Sequence, residues 1–100
     1  MPQADPSERA RVHIWVSGRV QGVGFRAFVE QTGTMLGLTG WVRNVGYDQV
    51  ETLAEGECAA LEEFAQAVQS GPRGSHVEDA RVEWETPTGE FRWFEVEHSV

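Results

Sequence analysis

The chain contains no lysine, so all eight of its basic residues are arginine. That removes Schiff-base catalysis and the lysine of a nucleotide P-loop. There is one cysteine, Cys58, so no intrachain disulfide can form, a usage that fits a reducing compartment. Phe64 rather than an arginine lies six positions after Cys58, so the pattern of a cysteine phosphatase fails, and the thiol reads as packing on a small-residue helix face. His13, His76 and His98 are scattered and show no metal-ligand spacing. No apolar run approaches the ~20 residues that span a bilayer, and the first ten residues lack the apolar segment of a signal peptide. Positive charge is scarce, with eight basic against sixteen acidic residues and a net charge of −8. Such a surface repels a nucleic-acid backbone. It also repels small anions unless positive potential is concentrated in one place. Together these absences predict a soluble cytoplasmic monomer with no nucleic-acid or membrane partner, no cofactor and no metal.

One hundred residues make one domain, and a hydrophobic content of 40%, with four Trp and five Phe, can fill one core. Residues 1–10 carry two prolines and several polar residues and read as a disordered leader, leaving 11–100 as the domain. Val12, Ile14 and Val16 alternate with His13, Trp15 and Ser17, which predicts a half-buried strand ending at Gly18. Phe25, Phe28, Val29, Thr32 and Leu36 have helical spacing over 24–36, with Gly37 as the stop. Gly33 and two threonines weaken that helix; Gly33 is also the mark of close packing on a sheet. Strands are expected at 39–44 and 50–55, joined by a hairpin loop at 45–49. A second helix at 58–70 presents Leu61, Phe64 and Val68 and ends at Gly71-Pro72. Further strands are expected at 78–85 and 91–97. The order β-α-β-β-α-β is that of a ferredoxin-like α+β sandwich, an antiparallel sheet of four to five strands with two helices on one face. Trp15 and Trp41 fall on the opposite face, as an exposed aromatic patch or under the leader or the last strand.

Between the first strand and the first helix lies Gly18-Arg19-Val20-Gln21-Gly22-Val23-Gly24-Phe25-Arg26. Its glycines let the backbone curl close to a ligand. Successive amides and a helix N-terminus can then form an anion nest. Arg26, in the first helical turn, can fold its guanidinium back over that nest, because helix side chains tilt toward the N-terminus. Amides of Val20, Gln21, Gly22, Val23, Gly24 and Phe25 plus Arg26 make a compact phosphoryl site. The same glycines also suit a tight connection that binds nothing, and glycine spacing alone does not decide between the two.

The stretch 18–26 resembles the acylphosphatase signature, Gly-x-Val-Gln-Gly-Val-x-Phe-Arg, at every fixed position. A second signature of that family matches Gly40-Trp41-Val42-Arg43-Asn44, then Val50 and Gly56. Leu36-Gly37-Leu38, Leu61–Phe64 and Ser70-Gly71-Pro72 are similar too, so the resemblance runs from about Arg11 nearly to the C-terminus. Three positions depart from it: Asp48 where the family usually has Gly, Val45 where it commonly has Thr, and Gly33 where it often has Ala. Loss of the Thr hydroxyl beside Asn44 implies a lower rate.

The resemblance implies a hydrolase of acyl phosphates, the carboxyl-phosphate mixed anhydrides, with Arg26 and Asn44 as catalytic residues. The residue types agree. The acidic clusters read as solvated faces, and no nucleophile, metal or general base is evident. A carboxylate leaving group of low pKa needs no general acid. The amides and Arg26 would hold the phosphoryl oxygens, and Asn44 would hold the attacking water through an uncharged amide. By itself Asn44 also suits the start of a turn, and Arg19, Gln21 and Arg43 have no assignable side-chain role. The competing functions are a non-catalytic anion-binding or regulatory module of the same fold, a maturation factor in a carbamoyl-transfer system, and, against the charge, an RNA-binding sheet.

Overall fold

Alternating burial along Arg9–Arg19 (β1) sends Ala10, Val12, Ile14 and Val16 into the core and His13 and Trp15 to the other face. The remaining elements are α1 (Phe25–Met35), β2 (Thr39–Val45), β3 (Gln49–Glu57), α2 (Cys58–Ser70), β4 (His76–Glu85) and β5 (Phe94–Val96). The computed structural model describes residues 5–100. The sheet order is β4-β1-β3-β2-β5, with the first four strands antiparallel and β5 parallel to β2. The ferredoxin-like arrangement is therefore present, but the sheet is mixed rather than antiparallel throughout. The last strand is also shorter than the sequence pattern implied, because residues 86–92 fold over the helix-free face before the chain pairs with β2. Glu55, almost fully buried, anchors that fold-over. It accepts hydrogen bonds from the backbone of Thr88 (2.8 Å) and Gly89 (2.9 Å), from the Thr88 hydroxyl, and from Arg11 Nε (2.8 Å). Burial alone would raise the Glu55 pKa; these donors outweigh it and hold the carboxyl below its ordinary value.

Both helices cover one face. Phe25, Val29 and Gly33 of α1 and Leu61, Phe64 and Val68 of α2 are buried against Ile14, Val42, Val50 and Ala54. Full burial of each Leu, Val or Phe side chain contributes roughly 2 kcal/mol. A Cβ on Gly33 would come within 2.6 Å of the Phe94 ring, so this glycine lets α1 settle onto β5, the close packing its position suggested. Cys58 sits in the core, where burial pushes its thiol pKa up. Neither helix is long and apolar enough to cross a membrane.

Residues 1–4 of the expected leader lie outside the described residues. Residues 5–10 are ordered against the domain. Helix α2 has no side-chain N-cap, and its first amides are satisfied instead by the carbonyls of Glu8 (2.8 Å, from Cys58) and Pro6 (3.0 Å, from Ala59). Arg9 and Ala10 already pair with Glu57 and Gly56 in the ladder.

Both tryptophans of the helix-free face are half-buried. Trp15 lies between His13, stacked at 3.8 Å, and the Arg81 guanidinium at 4.6 Å; Arg43 lies 4.8 Å from the Trp41 ring. His13 Nε2 and Arg43 Nε both bond to Glu51, at 2.7 and 2.9 Å, so Arg43 belongs to the helix-free face.

Gly40 fixes how closely β2 and β3 approach. Its φ is +148°, and a Cβ would fall 1.9 Å from the Leu53 carbonyl oxygen. Gly40→Ala should destabilise the fold by about 3 kcal/mol, from backbone strain plus an immovable clash. The urea midpoint reads this directly; an unchanged midpoint would show that the two strands can part without cost.

Candidate active site

The loop between β1 and α1 is held at both ends. Val20 and Phe25 are fully buried pegs, and Gly22 and Gly24 are exposed between them. Both glycines are left-handed, with φ +74° and +78°. Gly24 is also the N-cap of α1 and offers no side chain to cap it, and the first turn holds no acidic residue. The amides of residues 22–27 find no acceptor among the described residues. Orphan donors at a helix N-terminus with uncompensated dipole favour an anion.

This loop forms one wall of a cleft of about 340 Å³ lined by Val20, Gln21, Gly22, Gly24, Phe25, Arg26, Ala27, Glu30, Asn44 and Val96. The sequence had assigned its phosphate contacts to Val20–Arg26. All of these except Val23 line the cleft; Val23 is half-buried and packs against the core. Ala27, Glu30 and Val96 were not foreseen. Their placement depends on which face α1 turns to the cleft and on β5 pairing with β2, neither of which a local motif carries.

Arg26 is half-buried, and no carboxylate lies within ion-pair distance of it among the described residues. Arg11 and Arg43, by contrast, have carboxylates at 2.8 and 2.9 Å. A guanidinium left unneutralised in so acidic a protein is the concentration of positive potential that an anionic ligand requires.

Asn44 stands near the end of β2 on the same side as Val42, facing α1. Its Oδ1 is the one buried side-chain nitrogen or oxygen without a hydrogen-bond partner among the described residues. Leaving such an acceptor unpaired costs about 1–3 kcal/mol. Asn44 lines the cleft, and a buried acceptor left unpaired in a fold marks the place of a partner, such as a water, that the described residues do not supply.

Gln21 proves to have a side-chain role. Its Nε2 donates to the backbone carbonyls of Gln49 (2.9 Å), Gly46 (3.2 Å) and Val45 (3.4 Å). Gly18 N adds a bond to the Asp48 carbonyl (3.0 Å). The glycine loop is thereby tied to the β2–β3 hairpin that carries Asn44. Gly46, with φ +61°, supplies the left-handed turn residue that Asp48 does not. The hairpin is held on its other side by Val100, which exchanges backbone bonds with Gly46 (2.8 Å) and Asn44 (3.0 Å).

Residues 12–96 match the acylphosphatase family model. The acylphosphatase of Trichormus variabilis is 46% identical over 101 residues, covering 100% of this chain and 99% of that protein. Among solved structures, the acylphosphatase of Bacillus subtilis superposes with a TM-score of 0.84 at 40% identity, over 88% of this chain and 98% of that one. That of Coxiella burnetii gives 0.83 at 34% identity, over 89% and 93%.

Proposed function

The chain belongs to the acylphosphatase family and hydrolyses acyl phosphates to a carboxylate and inorganic phosphate; for the way it does so, we propose direct in-line attack of water on phosphorus. The phosphoryl group sits on the amides of the glycine loop and the first turn of α1, with Arg26 across its oxygens. Charge that gathers on those oxygens in the transition state meets donors already in place. Asn44 Oδ1 accepts a hydrogen bond from the attacking water and orients it toward phosphorus. The water's proton passes to a phosphoryl oxygen, and the carboxylate departs as a stable anion without a general acid. Turnover proceeds without a metal, by a monomer in the cytoplasm. The compartment reading rests on the single cysteine, which fits a reducing environment.

One observation carries the mechanism. An unneutralised arginine, most of the residues with acceptor-free amides, and Asn44, whose buried Oδ1 has no partner among the described residues, line the same cleft. The test is release of benzoate and phosphate from benzoyl phosphate in the presence of EDTA. Turnover supports the reading. A folded protein that binds phosphate and does not turn over would leave an anion-binding module.

Gln21→Ala should lower kcat about tenfold while the inhibition constant of inorganic phosphate stays within about twofold, because the loop survives and only its distance to Asn44 is released. Gln21→Glu should do no better, since a carboxylate cannot donate to the three carbonyls. A loss shared equally between kcat and phosphate affinity would show that Gln21 shapes the cradle rather than its spacing from Asn44.

A further inference from the structure

The stretch that cradles the phosphoryl group carries a second arginine that the proposed chemistry does not use. Arg19 ends β1, is exposed, and has no carboxylate within ion-pair distance among the described residues. Arg11, Arg43 and Arg81, by contrast, are each held by a glutamate. Arg19 immediately precedes Val20, which lines the cleft. Adjacent Cα atoms are about 3.8 Å apart, so the Arg19 charge stays within roughly 10 Å of the Val20 backbone whichever way its side chain turns. Two carboxylates come to the same end of β1. Gly18 N bonds to the Asp48 carbonyl, and a Cβ on Gly18 would lie 3.1 Å from Glu78 Cγ. Neither acid has a cation within ion-pair distance among the described residues, so both leave their charge beside a cleft that must admit a dianion.

We propose that Arg19 is a substrate-capture residue, whose field offsets the repulsion of Asp48 and Glu78 and draws the phosphoryl dianion into the cleft without touching it. The inference rests on the placement of the phosphoryl group in that cleft and adds the residue that brings it there. In a protein of net charge −8, a lone cation at the approach matters more than it would on a neutral surface. One unit charge roughly 10 Å from a dianion, across water at low salt, changes its affinity by about threefold. Such a field acts on the bound ground state and the transition state alike, so it moves KM and leaves kcat nearly unchanged. It fades with salt, because the Debye length shrinks from about 30 Å at 0.01 M to about 10 Å at 0.1 M. It needs positive charge and no particular shape, which sets Arg19 apart from Arg26, where the planar fork matters.

The quantity to measure is kcat/KM for benzoyl phosphate, as the ratio of each full-length variant to the wild type, from about 0.01 M to about 0.5 M salt. Arg19→Gln should lower this ratio about threefold at the lowest salt, through KM, and the ratio should return to about one at the highest. Arg19→Lys should match the wild type throughout, since it keeps the charge. Arg9→Gln removes the same charge from the other end of β1, about 33 Å away at the rise of a strand, and should leave the ratio near one. Equal losses in Arg9→Gln and Arg19→Gln would assign the effect to net charge and overturn the proposal. A loss that survives high salt, or that lysine does not restore, would overturn it too, because Arg19 would then shape the loop or grip the substrate. No loss in Arg19→Gln would leave the residue as solvated surface. Wild-type turnover in Arg26→Ala would bring down the placement of the phosphoryl group on which this proposal rests, and is read separately from these ratios.

Discussion

Arg26→Ala should lower kcat/KM for benzoyl phosphate by roughly a thousandfold, the scale of losing a positioned donor to a phosphoryl transition state. The loss should appear in both kcat and KM, because the guanidinium meets the phosphoryl oxygens in the ground state and more strongly as charge develops. Affinity for inorganic phosphate should fall with it. The fold should not suffer, since Arg26 is half-buried and anchors no ion pair among the described residues. Guanidinium ion added to the variant should restore part of the rate, as only the cation is missing. Lysine is expected to be a poor substitute, because an ammonium cannot present a planar fork to two oxygens. Steady-state kinetics together with a thermal melt decide this; wild-type turnover in Arg26→Ala would remove the arginine from the mechanism.

Asn44→Ala should behave differently in two respects. Activity should drop roughly a hundredfold or more, nearly all of it in kcat, with the inhibition constant of inorganic phosphate within about twofold of wild type. Stability should hold or rise by about 1 kcal/mol, because the substitution deletes a buried acceptor that the fold leaves unpaired. A variant that loses activity while gaining stability is the mark of a residue kept for chemistry. Asn44→Asp should be no better than alanine, because it places a negative charge beside the phosphoryl group. If Asn44→Ala instead unfolds the hairpin, the residue serves the turn that its sequence position also suggested.

Much of the fold was readable from local pattern. The helical stripe of Leu61, Phe64 and Val68, closed by Gly71-Pro72, gave α2 over Cys58–Ser70, the span observed. What escaped was set by partners distant in sequence. Strand β1 starts at Arg9 because residues 5–10 supply carbonyls to an uncapped helix and pair with the end of β3. Strand β5 is short and parallel because Glu55 and Arg11 gather residues 88–90 onto the open face first.

The site divides the same way. Arg26 and the glycines announce themselves through residue type and their place before a helix. Asn44 could be assigned only through family resemblance, since Asn before a turn is ordinary; its unpaired Oδ1 is a tertiary property. Gln21 showed no local signal either, because its three acceptors lie 24 to 28 positions further along the chain. Glu30 lines the cleft because of the face that helix α1 turns to it, which no local motif carries.

The central claim is a single displacement at phosphorus by water. Its most direct test is the stereochemical course of hydrolysis of benzoyl thiophosphate, made chiral with oxygen isotopes and turned over once in isotopically labelled water. Direct in-line attack predicts that one solvent oxygen enters the thiophosphate with inversion of configuration. Retention would reveal a covalent phosphoenzyme, and solvent oxygen found in the benzoate would mean attack at the carbonyl carbon; either result would contradict the account.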